Sequence, residues 1–166
     1  MPGTGGAAFG GVFDPTRDYA PTGQWTGLQA VFPVLKSLGA TYSLTAAQCG
    51  STILLDTATG QIITLPPPQV GLWFDFVVTT SVTSNNHTVV TDASTTLLIG
   101  SVWLAVAAGT GTQFFPNGSS HVKCQMNGTT TGGLKNTGLL LYCVSSTQWM
   151  IDGTVEGSGT IATPFA

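Results

Sequence analysis

The stretch that decides the fold is Tyr42 to Val78, YSLTAAQCGSTILLDTATGQIITLPPPQVGLWFDFVV, which shows strand, turn, strand, proline stop and strand again in one run. In Leu72 to Val78 the period is two: Leu72, Phe74, Phe76 and Val78 share one face, and Trp73, Asp75 and Val77 share the other. The first set is expected in the core, so Asp75 points away from it. Pro66, Pro67 and Pro68 follow the run Gln61 to Leu65 directly. Three residues without N–H groups end a strand, which accounts for them without a polyproline ligand.

Outward from this stretch, further β-type runs recur about every ten residues: His87 to Thr91, Thr96 to Ile99, Val102 to Val106, His121 to Met126, Leu139 to Val144 and Gln148 to Ile151. Turn residues fall between them, at Thr59-Gly60, Asn85-Asn86, Gly109 to Gly111, Pro116 to Gly118, Asn127-Gly128, Gly132-Gly133 and Asp152-Gly153. Short strands at that spacing, with no intervening helical period, predict an all-β fold: a single jelly-roll-like β-sandwich. No repeat of 20 to 50 residues is visible, which argues against a solenoid. In Val122, Cys124 and Met126 the alternation places Lys123 and Gln125 outward.

Residues 1–40 read differently. Gly and Pro are frequent, and Phe9, Phe13, Tyr19, Trp25 and Phe32 follow neither the strand nor the helix period. Free linkers are poor in aromatics, so this segment is expected to lie on a surface, either its own sandwich or a neighbouring subunit. The division expected is an extended N-terminal arm over 1–40 and a sandwich domain over 41–166.

Length and composition agree with one core. A chain of 166 residues is large enough to bury about 70% of its unfolded surface in a single domain. Only 7% of its residues are charged, against about 25% in ordinary soluble domains. Thr, Ser, Asn, Gln and Gly supply the polar surface instead, which lowers the desolvation cost of packing against a neighbour. A net charge of −3 does not neutralise a row of phosphates, so no direct nucleic-acid partner is expected. The start, MPGTGGAAFGGVFDP, has neither the basic region nor the apolar stretch of a secretory signal, and the longest apolar runs are far below a membrane span. A soluble chain with no membrane partner is expected.

No catalytic motif emerges. His87 with Asp92, and His121 with Ser119 or Ser120, are the combinations that a triad would need, but no GxSxG elbow accompanies them and such pairs arise by chance in a Ser/Thr-rich chain. His87 follows Asn85-Asn86 and reads as a solvated or turn-bonding residue. The histidines, Asp92 and the cysteines have no metal-ligand spacing, and there is no calcium loop, so neither metal nor cofactor is expected. Cys49, Cys124 and Cys143 are odd in number and lack CxxC spacing; they read as buried free thiols, with one disulfide pair left open. Three Asn-X-Ser/Thr triplets, at Asn86, Asn117 and Asn127, need no explanation beyond composition. Trp73 or Trp149 would offer a sugar-stacking platform if exposed, although packing is the commoner use.

The run Leu44-Thr45-Ala46-Ala47, Gly50, Leu55-Asp56, Ile63-Thr64-Leu65-Pro66 and Gly71-Leu72 through Phe74 and Phe76 resembles a module of tailed-bacteriophage head decoration, or capsid cement, proteins. Some tail-fibre and appendage domains carry it too. The resemblance covers 37 of 166 residues. It implies a small jelly-roll that trimerises and stitches major capsid subunits together on the outer capsid surface of the virion, after synthesis in the bacterial cytoplasm. The expected partners are the major capsid protein and further copies of the chain. With that reading Phe9, Phe13, Trp25 and Phe32 become the capsid-contacting anchors of the arm. A tail appendage that binds host surface glycan is the alternative, and an enzyme such as a polysaccharide lyase stands third.

Overall fold

The structure is a computed structural model, and it describes residues 32–106 and 109–166. The described chain forms eleven strands in two sheets: β1 Val34–Leu35, β2 Thr41–Ser43, β3 Thr52–Leu55, β4 Ile62–Thr64, β5 Trp73–Val78, β6 His87–Val90, β7 Leu97–Val106, β8 Gly111–Phe114, β9 Lys123–Met126, β10 Gly138–Ser145 and β11 Gln148–Gly157. The only helical element among the described residues is a 3-10 turn at Ala46–Gln48, where Thr45 and Gln48 form a capping box.

Seven strands form one sheet in the order β1-β3-β5-β10-β11-β7-β8, and four form the other in the order β2-β4-β6-β9. From β1 to β6 the chain alternates between the sheets. Each return lies beside the previous strand of that sheet and runs parallel to it, as in Thr52↔Asp75 and Ile62↔Thr88. A parallel pair needs a long crossover. Here the crossover is a strand of the opposite sheet, so this half of the domain winds like a short coil. Later pairs are mostly antiparallel: β5 with β10, β10 with β11, β6 with β9 and β7 with β8.

Both sheets are mixed. The expectation of an all-β fold of packed sheets holds, whereas the parallel pairs of β1 to β6 are not the antiparallel hairpins that a jelly-roll needs.

The core lies between the sheets. Phe74, Phe76, Leu141 and Trp149 come from the seven-stranded side, and Ile63, Val89, Cys124 and Met126 from the other. Leu65, Leu72, Phe74, Phe76 and Val78 are all buried, as the period of two requires. Leu65 donates its N–H to the Val90 carbonyl, and the prolines then end the ladder.

Three expectations change. The runs at Thr96 to Ile99 and Val102 to Val106 are one strand, β7, which continues through Gly100. Asp152-Gly153 is no turn but lies inside β11, where the Gly153 position faces the backbone of Gly138 and Leu139 too closely for a side chain. Val34–Leu35, placed by sequence in the arm, pairs with β3 and belongs to the sheet.

Candidate functional site

The two outer faces of the sandwich differ in chemistry. On the four-stranded sheet the outward residues form the register row Thr41–Ile62–Thr88–Gln125 and, beside it, Ser43–Thr64–Val90–Lys123. Most are neutral and hydrogen-bonding, as expected of a face that meets water.

On the seven-stranded sheet two of the three outward rows are mainly apolar, and the row between them is mainly polar. One runs Trp73–Tyr142–Met150–Ile99, a second Val34–Thr52–Asp75–Leu140–Asp152–Ser101, and a third includes Leu54–Val77 and Thr154–Trp103–Gln113. Leu140 is 39% exposed, Val34 56% and Trp103 47%, so the apolar character reaches the surface. Phe32 extends the first row: it is 55% exposed, and its ring meets the Trp73 ring edge-on at 5.2 Å. The strands of this sheet contain three charged residues, Asp75, Asp152 and Glu156, and no Lys or Arg. Thr52 donates to Asp75 at 3.4 Å, and Asn136 to Glu156 at 3.4 Å. The apolar rows on either side of the Asp75–Asp152 row make this face a candidate interaction surface.

Of the sequence-predicted anchors, Phe32 lies at the margin of this face. Phe9, Phe13 and Trp25 lie outside the described residues. Trp73 also belongs to the face, whereas Trp149 is fully buried beside Phe74, with ring centroids 5.9 Å apart, and offers no platform to a sugar. Leu140, Tyr142 and Trp103 were missed as surface residues. Their signal was present in Leu139 to Val144 and Val102 to Val106, where apolar residues run without alternation and both faces of the strand must therefore be apolar.

The histidines have other surroundings than sequence suggested. His87 is fully buried, not solvated; its Nε2 lies 3.3 Å from the Thr80 carbonyl and its Nδ1 has no partner. Burial lowers its pKa below the ordinary 6.5, against smaller opposing effects of the Thr80 carbonyl and Asp56. Asp92 is exposed, and no bond joins it to His87. His121 Nδ1 accepts the Asn117 N–H at 3.0 Å, its ring stacks on Phe165, and the Ser120 hydroxyl accepts from the Asn117 amide. Neither combination is assembled as a triad.

Cys49, Cys124 and Cys143 are free thiols. Burial pushes the Cys124 thiol up to about 12 and raises that of Cys143. Among the described residues no group of three or more His, Cys, Asp or Glu side chains is placed to hold a metal ion. Comparison with family models, with curated proteins and with solved structures found no match to this chain.

Proposed function

We propose that this chain is a structural virion protein: a β-sandwich decoration or cement protein that binds the outer surface of a tailed-phage head and stabilises it by bridging major capsid subunits. The observation that carries the reading is the apolar outer face of the seven-stranded sheet, whose strands bear carboxylates and no cations. Such a face favours a partner with apolar residues at the contact and Lys or Arg around it, because the carboxylates then stay paired when water leaves.

The function is a free energy of bridging. A specific interface buries about 1,600 Å² in total. A protein that binds the assembled lattice and not the separated subunits stabilises the lattice by mass action, as any ligand stabilises the state it prefers. Phe9, Phe13, Trp25 and Phe32 act as aromatic anchors, a role that large rings fill because each removes much area from water in one side chain. The chain works as a homotrimer, without cofactor or turnover, on the capsid exterior after synthesis in the bacterial cytoplasm.

The test is to add purified protein to heads that lack it and to count bound copies by quantitative gel and cryo-electron microscopy. Copies in the hundreds, distributed over the capsid surface, are expected. A few copies confined to the tail would reject the reading. Removing residues 1–31 is expected to weaken binding while leaving the β domain folded. A longer deletion is a poor test, because β1 starts at Val34.

A further inference from the structure

We propose that the four-stranded sheet carries a binding site for an uncharged saccharide, on the face opposite the apolar one. It is an open depression of about 400 Å³ formed over the row Thr41–Ile62–Thr88–Gln125 and rimmed by the loops that carry Thr59-Gly60 and Asn85-Asn86. That volume is within the range of about 300–1,000 Å³ typical of small-molecule clefts.

The lining selects the ligand class. No charged side chain lines the depression, so it offers no counter-charge to a phosphate, carboxylate or ammonium. Its surface is about evenly apolar and polar: the apolar half comes from Ile62, Ala40 and the carbons of the other lining side chains, which suits the C–H face of a sugar ring. Its polar side chains are amide and hydroxyl, among them Asn86, Gln125, Thr41 and Thr88. Each of these groups both donates and accepts, which matches a ligand whose own hydroxyls do both. None of the four side chains bonds to another described residue, and none of their polar atoms is among those sealed from solvent without a partner. Thr88 is the informative one. Register turns it outward, yet it is only 5% exposed, because it lies at the bottom of the depression.

The rim is preformed. Thr83 and Ser84 donate their N–H groups to the Ala58 carbonyl, and the Asn85 side chain donates to the Thr59 carbonyl at 3.1 Å, so the two loops are tied together. Gly60 has φ +82°, and a Cβ there would stand 2.5 Å from the Asn86 carbonyl oxygen, so the loops approach as closely as a glycine allows. Below them the buried Gln61 side chain bridges the Asp56 N–H and the Gly39 carbonyl. A fixed rim lowers the ordering cost of binding, which matters for a ligand held by a few neutral hydrogen bonds.

The site stands on its own residues and does not depend on how the chain attaches to a virion. In the test, full-length ¹⁵N-labelled protein is titrated with glucose, galactose, mannose, rhamnose and N-acetylglucosamine and their disaccharides, and with glucuronic acid as a charged probe. One neutral sugar class is expected to give saturable amide shifts at Thr41, Gly60, Asn86, Thr88 and Gln125, with a dissociation constant on the order of 1 mM. Asn86→Ala and Gln125→Ala each remove one or two neutral hydrogen bonds and are expected to weaken binding about three- to tenfold, with the unliganded spectrum otherwise retained. Three results would overturn the proposal: no saturable shift with any neutral sugar, shifts confined to the Trp73 and Trp103 face, or binding of glucuronic acid alone. Saccharide binding that persists unchanged in a variant carrying both Asn86→Ala and Gln125→Ala would do the same.

Discussion

Leu140→Lys and Ile62→Lys form a matched pair of substitutions, because the two residues are similarly exposed, at 39% and 45%, on opposite faces of one sandwich. Leu140 lies in register between Asp75 on β5 and Asp152 on β11. In the free protein a lysine there keeps part of the apolar contact through its methylene stem and gains two acidic neighbours, at about 0.2–1 kcal/mol each. Folding stability is therefore expected to change by less than about 1 kcal/mol, or about 4 °C in Tm for a domain of this size.

At a head interface the balance differs. Burying a whole leucine side chain contributes about 1.5–3 kcal/mol, so covering the part of Leu140 still exposed contributes about 0.6–1.2 kcal/mol. Its loss alone weakens attachment about three- to eightfold. Desolvating the ammonium adds to that loss unless the capsid supplies an acidic partner. Ile62→Lys places the same charge among Thr41, Thr88 and Gln125 and is expected to leave head binding unchanged. The assay is copies bound per head across a protein titration, with thermal melts of both variants as folding controls. Equal binding of the two variants, whether both retained or both lost, refutes the assignment of the apolar face as the attachment surface.

Three further outcomes are expected. His87 has a folded pKa below its unfolded value, so its neutral form contributes fully above pH 6.5, and stability falls as pH drops through 6.5 towards the folded pKa; melts between pH 7.5 and 5 should show this slope, and His87→Gln should flatten it. Gly60→Ala combines a left-handed φ with a clash against the Asn86 carbonyl, and should cost about 1–3 kcal/mol in urea unfolding. In native protein Cys49, the half-buried thiol, should react with Ellman's reagent well before Cys124 and Cys143, while all three react in denaturant; fast labelling of Cys124 in folded protein would contradict its burial.

The strand-forming stretches and their inward residues were legible wherever period two was clean. Leu72 to Val78 and Cys124 with Met126 are examples, since alternate residues on a pleated strand must face opposite ways. Legibility failed where glycine interrupted the pattern. Gly100 splits one strand into two runs in sequence and Gly153 reads as a turn, but in the sheet both let neighbouring backbones approach, and that reason depends on a partner strand far along the chain. The apolar rows of the seven-stranded sheet were half legible, as runs without alternation. The depression over Thr88 left no sequence trace, because its lining comes from four strands and two loops brought together by pairing.

By itself, then, the run Tyr42 to Val78 determined strands, their proline stop and a buried face, because those follow from local backbone sterics and alternation. Tertiary structure alone decided that successive strands return in parallel through the opposite sheet, that His87 and Trp149 are enclosed, and which residues share each outer face. Strand pairing is non-local: the same alternating segment is satisfied by several neighbours, and only the packing of the whole core selects among them.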